Sequence, residues 1–285
     1  MGNILIAGGT GTLGSALIKK LTRERFTNIK VLSRDEQKHY RLKREFPHVE
    51  FILGDIRDKS SITRHFENVD SVFHVAALKH IDLLELNPIE SVKTNILGTI
   101  NVCESCLEAG VRWMMFSSTD KAVDPINVYG NCKSISEKIV LNYNKDNKTT
   151  FTVFRWGNII NSNGSALPYF IDCVRNKKLI PLTHANMTRF FITIEKAVDF
   201  VYENYQLESK EVYVYPEMKA ARIDTVISVI GELLNEPPLI KISGLRPGEK
   251  IDECLYSKYS GRFMDSKICP QYSREELKEL IGPMI

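Results

Sequence analysis

Tyr129 and Lys133 stand four residues apart in the stretch VYGNCKSISEKIVLNY. On a helix that spacing puts both on one face, where an ammonium can lower the pKa of a phenol and also hydrogen-bond ribose hydroxyls. A phenolate so placed is a base that can take an alcohol proton while hydride leaves the same carbon. Just upstream, Ser117-Ser118-Thr119-Asp120-Lys121 closes an apolar run and offers hydroxyl, carboxyl and ammonium groups together. Taken alone, Tyr-x-x-x-Lys recurs by chance on helix surfaces. It gains meaning from a second pattern, Gly8-Gly9-Thr10-Gly11-Thr12-Leu13-Gly14, which follows the apolar run NILIA and opens an amphipathic stretch. Glycines there permit a tight turn and let the backbone approach a pyrophosphate, while the helix N-terminus supplies N–H donors. The segment parses as Gly9-x-Gly11-x-x-Gly14 or as Gly8-x-x-Gly11-x-x-Gly14, and either form cradles phosphate.

These residues need a scaffold, and the rest of the first half supplies one. From Asn3 to Arg155 short apolar runs (NILIA, IKVLS, VEFILG, DSVFHVAA, RWMMFSS, FTVFR) alternate with longer amphipathic stretches. That cadence predicts βαβ units, and the continuous hydrophobicity of the runs predicts strands buried on both faces of a parallel sheet. The fold class expected is α/β, a doubly wound, Rossmann-like parallel sheet, with a smaller C-terminal substrate lobe. Strand C-termini face the ligand crevice in such sheets, which is where Thr119 falls. Asn87-Pro88 marks the start of a helix running to Ala109, and Gly110 its stop. After Gly157 the rhythm breaks into NIINSNGSALP. Residues 1–160 are therefore expected to form a dinucleotide-binding domain, with 190–215 packing back on it, and 161–285 mainly a substrate lobe.

The second apolar run ends in Leu32-Ser33-Arg34-Asp35. A carboxylate there would bind a ribose 2′-hydroxyl, whereas Arg34 suits a 2′-phosphate, so NADP is the expected cofactor, with Asp35 still able to reach a hydroxyl. Asp55, after the third run in GDIRD, is placed to accept from an adenine amino group or else to cap the next helix.

Bulk properties exclude several other classes. Hydrophobic residues make up 43% and charged residues 26%, which fits neither disorder nor a fibrous repeat. The net charge is only +3, without a run of like charges, so no nucleic-acid footprint is visible. Six cysteines are too few for a disulfide framework; Cys103 and Cys106 read as small buried hydrophobes, and no metal site is expected. His74 and His80 lack metal-ligand companions and read as core or loop histidines. With no signal peptide and no bilayer-length apolar run, a cytoplasmic protein without a membrane partner is expected.

The glycine segment, Gly54-Asp-Ile-Arg-Asp58, Ala76-Ala-Leu-Lys-His80, Ser118-Thr-Asp-Lys-Ala122, Tyr129-Gly-Asn-Cys-Lys133, Arg155-Trp-Gly-Asn158, Thr188-Arg-Phe-Phe-Ile192 and Arg246-Pro-Gly-Glu-Lys250 occur in that order. Together they resemble the extended short-chain dehydrogenase/reductase family and, within it, the soluble inverting UDP-N-acetylglucosamine 4,6-dehydratases. The chain departs from that pattern at Asn131-Cys132, where small residues are usual, and at Asn161, where glycine is usual. The resemblance implies cofactor contacts from Gly8, Thr10, Gly11, Thr12, Leu13 and Gly14, from Ser33, Arg34, Asp35, Asp55 and Ile56, and from Ala76, Ala77, Tyr129 and Lys133. It implies a cycle in which Tyr129, assisted by Thr119 and Lys133, takes the sugar 4-hydroxyl proton while hydride passes to NADP. Lys121 then acts as base at carbon 5, Asp120 as acid for the departing 6-hydroxyl, and the hydride returns at carbon 6. To act as a base Lys121 must be neutral for part of the time, which desolvation favours and Asp120 opposes. The resemblance further implies Arg246 at a diphosphate, Glu249 at the uridine ribose, Asn158 and Arg189 near the sugar or phosphates, and Lys79 beside the sugar. Inversion at carbon 5 is expected because the chain is short and carries Tyr129, where the membrane-anchored retaining relatives typically have methionine. A homo-oligomer, up to a hexamer, is expected through the apolar helices around 88–109 and 127–143.

Two rivals remain. A nucleotide-sugar 4-epimerase of the same family would use the cradle and Tyr129 without eliminating water, and Asp120-Lys121 argues against it. A non-catalytic NADP(H) sensor is disfavoured by the presence of both Tyr129 and Lys133.

Overall fold

The computed structural model describes residues 2–146, 149–207, 211–256 and 262–285. Strands β1 (Ile4–Ala7), β2 (Ile29–Ser33), β3 (Glu50–Leu53), β4 (Ser71–His74), β5 (Trp113–Thr119) and β6 (Thr150–Trp156) alternate with helices α1 (Thr12–Arg23), α2 (Glu36–Glu45), α3 (Lys59–Ile62), α4 (Ile81–Leu86), α5 (Pro88–Ser91), α6 (Gly98–Ala109) and α7 (Val128–Asn142). Beyond them lie β7 (Asn158–Ile159), α8 (Ala166–Arg175), β8 (Ile180–Leu182), β9 (Thr188–Ile192), α9 (Ile194–Glu203), β10 (Val212–Val214), β11 (Lys219–Arg222), α10 (Ile223–Leu234), β12 (Ile240–Ile242), β13 (Cys254–Tyr256), β14 (Met264–Asp265) and α11 (Arg274–Ile281).

Seven strands form one parallel sheet in the order β3-β2-β1-β4-β5-β6-β10. Order reverses between β1 and β4, which opens a crevice at the carboxyl ends of the strands. Every residue of β1 is buried, because both faces are covered. One face packs on α1 and α9 through Leu17, Ile18, Leu21, Ala197 and Val201, and the other on α3, α6 and α7 through Ile62, Val102, Cys106 and Val140. The continuous hydrophobicity of the sequence thus reflects two covering layers, the doubly wound α/β arrangement expected. A third cluster, built from α8, α10, α11, β8 and β9, fills the C-terminal part of the molecule. There β9 pairs with β7 and β11, and β13 with β14.

The stretch from Pro88 to Ala109, expected as one helix, is interrupted. Val92–Leu97 forms a π-helical turn between α5 and α6. The cause is Asn95, whose side chain bonds the backbone of Leu78 at both ends (2.9 Å each) while its carbonyl accepts from Thr99 and Ser136 hydroxyls at 2.7 Å. Side chains satisfy what the helix would otherwise satisfy, so the extra residue is tolerated. Gly110 closes α6 in the left-handed conformation at φ 70°.

Arg155 joins three parts of the fold. Its Nε and Nη2 donate to the two oxygens of Glu137 on α7, at 3.0 and 2.5 Å, and its Nη1 donates to the Leu255 carbonyl on β13 at 2.5 Å. Both side chains are buried. Removing one member of such a pair strands the other charge, so Arg155→Met should cost about 3–5 kcal/mol of stability. Urea unfolding measures it; a loss below about 1 kcal/mol, the range of a surface pair, would contradict the assignment.

Candidate active site

The glycine turn joins β1 to α1. Gly8 has φ 89°, and a Cβ there would meet the Ala76 backbone at 2.5 Å; a Cβ on Gly14 would meet the Gly9 Cα at 2.4 Å. Gly11 is different: its Cβ would approach only the Gly8 carbonyl, at 3.4 Å, leaving open space at the helix end. The first-turn N–H groups of Thr12, Leu13 and Gly14 have no partner within the helix. This cradle fits a pyrophosphate, with a closed rear wall and an open, donor-lined front. Thr10 donates to Ser33 Oγ at 2.9 Å, and Ser33 shares a 2.7 Å hydrogen bond with His39. Thr12 Oγ1 accepts from the Asn163 N–H at 3.0 Å.

Asp35 caps α2, accepting from the Lys38 N–H at 3.0 Å and pairing with its amine at 2.8 Å. Both interactions hold its carboxyl below the usual range, the Lys38 side chain most strongly. Arg34 extends from the same strand end with a 47% exposed side chain, 3.6 Å from Asp55. Asp55 does not cap α3; Asp58 does, and Asp55 instead binds Arg57 through its backbone and guanidinium. Ile56 is buried against Gly98, Ala76 backs Gly8, and Ala77 is exposed.

At the end of β5, Thr119 donates to Asp120 Oδ1 at 2.9 Å and caps a short turn, Asp120–Ala122. Lys121 reaches Asp120 Oδ1 at 3.0 Å, Asn158 Oδ1 at 3.3 Å and Glu253 Oε1 at 3.8 Å. Burial alone would lower its pKa, but Asp120 and Glu253 outweigh burial and raise it. Lys121 is therefore an ammonium in this arrangement. Burial pushes the Tyr129 phenol up to about 12, opposed by Lys121 and by a hydrogen bond with Thr119. The cation that eases phenol ionisation is Lys121, which corrects the assignment of that role to Lys133. Lys133 turns inward, donating to the Ser117 carbonyl at 2.6 Å with its amine 3.8 Å from the centre of the Phe116 ring, and burial lowers it to about 7.

The Arg246-Pro-Gly-Glu-Lys250 segment is tied to this centre. Gly248 accepts from the side chain of Asn127, the cap of α7, at 2.8 Å, and Lys250 donates to the Val123 carbonyl at 2.6 Å. Arg246 is exposed and pairs with Asp82 at 3.2 Å, while Glu249 accepts from the Arg246 N–H. Lys79 donates to Ser162 at 3.3 Å, and burial together with the Lys121 charge lowers its pKa. Arg189 differs from expectation. It is buried and its terminal nitrogens donate to the carbonyls of Thr188, Lys250 and Ile251, so it secures the chain leading into Glu253 instead of presenting a guanidinium to a ligand. Asn161 has φ 56°, a conformation asparagine tolerates and glycine adopts freely, which accounts for its departure from the family pattern. Cys132 is buried and accepts from Ser91, while Asn131 is exposed.

Sequence reasoning missed Glu253. It lies three residues past the Arg-Pro-Gly-Glu-Lys run, where a lone acidic residue in IDECL carries no local signal. Among the described residues no cluster of His, Cys, Asp and Glu is arranged to hold a metal, and no helix is long and apolar enough to cross a membrane.

Cradle, Tyr129, Lys133 and the doubly wound sheet together define an extended short-chain dehydrogenase/reductase. The chain belongs to the polysaccharide biosynthesis protein family, whose model matches residues 4–268. It is 37% identical over 263 residues to the UDP-N-acetylglucosamine 4,6-dehydratase (inverting) of Campylobacter jejuni, covering 90% of this chain and 77% of that one. It is also 34% identical over 263 residues to the UDP-glucose 4-epimerase of Rickettsia bellii, covering 89% and 77%. The X-ray structure of Pen from Bacillus thuringiensis superimposes with a TM-score of 0.92 at 31% identity, covering 99% of this chain and 97% of that one.

The position of Lys133 predicts a pH effect on the ligand-free protein. Its pKa is about 7 when folded against 10.5 ordinarily. Between those values the unfolded chain holds a proton that the native state lacks, so this group makes stability rise with pH across that window. Wild-type stability minus that of Lys133→Met should climb from neutral pH to about pH 10 by up to about 1.4 kcal/mol per pH unit. A flat difference in urea unfolding would show that the amine is not desolvated.

Proposed function

We propose that this chain is a sugar-nucleotide 4,6-dehydratase acting on UDP-N-acetylglucosamine with inversion at carbon 5, NADP-dependent and redox-neutral overall. The observation that carries the reading is Lys121, half-buried near Tyr129 and between two carboxyl groups. An epimerase needs a base at the 4-hydroxyl and a cofactor, but no proton chemistry at carbon 5. Here a second acid–base group lies next to the first.

In this reading residues 1–160, with 190–215, hold the cofactor, and 161–285 mainly form the substrate lobe. Gly8, Thr10, Gly11, Thr12, Leu13 and Gly14 cradle the pyrophosphate; Ser33 and Arg34 face the 2′-phosphate, with Asp35 held at the helix cap. Asp55 and Ile56 border the adenine, and Ala76 and Ala77 the far ribose. Bound there, NADP would accept hydride from carbon 4 and return it at carbon 6. Tyr129, hydrogen-bonded to Thr119 and beside the Lys121 charge, takes the 4-hydroxyl proton, while Lys133 steadies the ribose. The resulting ketone acidifies carbon 5, whose proton Lys121 removes, and Asp120 protonates the departing 6-hydroxyl. Two protons are taken, from oxygen 4 and carbon 5, and two are returned, to the leaving water and to carbon 5. Lys79 and Asn158 line the sugar, Arg246 the diphosphate and Glu249 the uridine. Exposed Leu86, Ile89 and Ile135 on the helices flanking the site support a homo-oligomer.

Two measurements test this reading. Titration should give tighter binding of NADPH than NADH, since Asp35 is engaged and Arg34 accessible; equal or tighter NADH binding overturns the cofactor assignment. Incubation with UDP-N-acetylglucosamine in deuterium oxide should give a product lighter by one water with solvent deuterium at carbon 5, and borohydride reduction should give 6-deoxy sugars of the L-series. Products only in the D-series would mean retention. An isomer of unchanged mass would mean an epimerase, and no product with intact cofactor binding a sensor.

A further inference from the structure

Lys121 poses a problem that the reaction scheme leaves open. A base at carbon 5 must be a free amine, yet the site holds it as an ammonium. Two carboxyl groups flank it, and they are not equivalent. Asp120 Oδ1 accepts from both Thr119 and Lys121, at 2.9 and 3.0 Å, so one of its oxygens is fully engaged. Glu253 is as deeply buried, and its Oε2, like Asp120 Oδ2, has no hydrogen-bond partner; what sets Glu253 apart is that its nearest cations stand outside hydrogen-bond range, Lys121 at 3.8 Å and Lys250 at 3.6 Å.

We infer that Glu253 is a positioning residue that receives the proton of Lys121 and so sets it as the free amine that acts at carbon 5. The inference rests on the dehydratase reading. The step moves one proton and no net charge: an Nζ–H bond breaks on Lys121, an O–H bond forms on Glu253 Oε1, and the ion pair becomes a neutral amine and a neutral acid. The transfer requires Lys121 Nζ to move from 3.8 Å into hydrogen-bond range of Glu253 Oε1. Lys121 then takes the carbon 5 proton with its freed lone pair.

The surroundings support this direction of transfer. Burial pushes the Glu253 carboxyl above its usual range, with Asp120 adding to the effect and Lys121, Arg189 and Lys250 opposing it. Arg189 is committed to backbone carbonyls and Lys250 to that of Val123, so neither supplies the hydrogen bond that would fix the carboxylate as an anion. From α7, Tyr129 adds a phenol that burial keeps protonated, and Asn158 adds a neutral amide. Once the first oxidation is complete and the bound substrate excludes water, an ion pair that lacks a direct hydrogen bond gains by neutralising, so Lys121 is still charged when Tyr129 acts. The segment carrying Glu253 is also held firmly: its N–H donates to Ser266 Oγ at 2.8 Å, and two residues on, Leu255 is gripped by Arg155.

The test uses the full chain with bound NADP and UDP-N-acetylglucosamine. Two signals are followed in deuterium oxide, cofactor reduction at the first oxidation and deuterium entry at carbon 5. In the wild type, deuterium entry should be nearly independent of pH around neutrality. Glu253→Gln should leave the first oxidation at the wild-type rate and slow deuterium entry by about 10²–10⁴ at neutral pH, the worth of a positioned proton acceptor. It should recover about tenfold per pH unit toward alkaline pH as solvent deprotonates Lys121 instead. Wild-type exchange in the variant, or a slowing equal at every pH, would overturn the inference. If Glu253→Gln does not fold, Glu253→Asp, with the acid drawn back by one methylene, should slow carbon 5 exchange and spare the first oxidation; loss of both steps or of neither would overturn it. A wild type that releases no water removes the dehydratase reading and this inference together, whereas a dehydrating wild type with an indifferent Glu253→Gln removes the inference alone.

Discussion

The buried pairing of Arg155 with Glu137 and the Leu255 carbonyl is the constraint on which the site depends. One guanidinium at the end of β6 fixes the helix that carries Tyr129 and Lys133 and the strand that carries Glu253's neighbours. A planar fork with five donors can satisfy a carboxylate at both oxygens and still reach a third acceptor, which a lysine ammonium cannot do with the same rigidity. Elements more than 100 residues apart in sequence thus reach one point without a loop having to hold them there. The pair's net contribution to stability is offset by the cost of desolvating it; what it secures is placement.

Lys121 and Lys133 both lose water, yet their pKa values move in opposite directions. Lys133 has Glu137, already engaged by Arg155, and to a lesser degree Cys132 to oppose desolvation, and its pKa falls to about 7. Lys121 has two carboxyl groups at hand, and its charge is favoured. The contrast separates the jobs the two can do. A lysine poised near neutrality is a hydrogen-bonding partner that sheds its charge readily, whereas a lysine held as an ammonium acts first on the phenol near it. The i, i+4 spacing of Tyr129 and Lys133 shows that they share a helix face, but spacing cannot reveal that Lys133 leans down to the Ser117 carbonyl.

What the sequence made legible was local. Glycines at 8 and 14 state their turn because a side chain at either would run into the neighbouring backbone. The buried strands announce themselves through continuous apolar runs. Asp35, for which the sequence leaves a ribose hydroxyl within reach beside Arg34, caps α2 and pairs with Lys38 in the fold. The π turn at Val92–Leu97 could not be read, because it depends on Asn95 meeting Leu78 and Ser136 across the fold. Glu253 and Arg189 were invisible or misread for the same reason. Their roles are set by partners over 60 residues away, and an isolated acid or arginine carries no trace of them.

One fold hosts both epimerases and dehydratases, so the sheet and the cradle cannot discriminate between them. Discrimination lies in what the site can do after the first oxidation. Both chemistries make a 4-ketone, and any 4-ketone acidifies the proton at carbon 5. An epimerase must leave that proton alone while the sugar turns over; a dehydratase must remove it and expel the 6-hydroxyl. On the dehydratase reading, a half-buried lysine between two carboxyl groups is suited to removing that proton once its own has passed to Glu253. Asp120, hydrogen-bonded by Thr119 and Lys121, keeps a carboxyl at hand for the leaving oxygen. On the dehydratase reading, what would set this chain apart from the epimerases it also resembles is charge placement at Asp120, Lys121 and Glu253, and not the cofactor machinery they share.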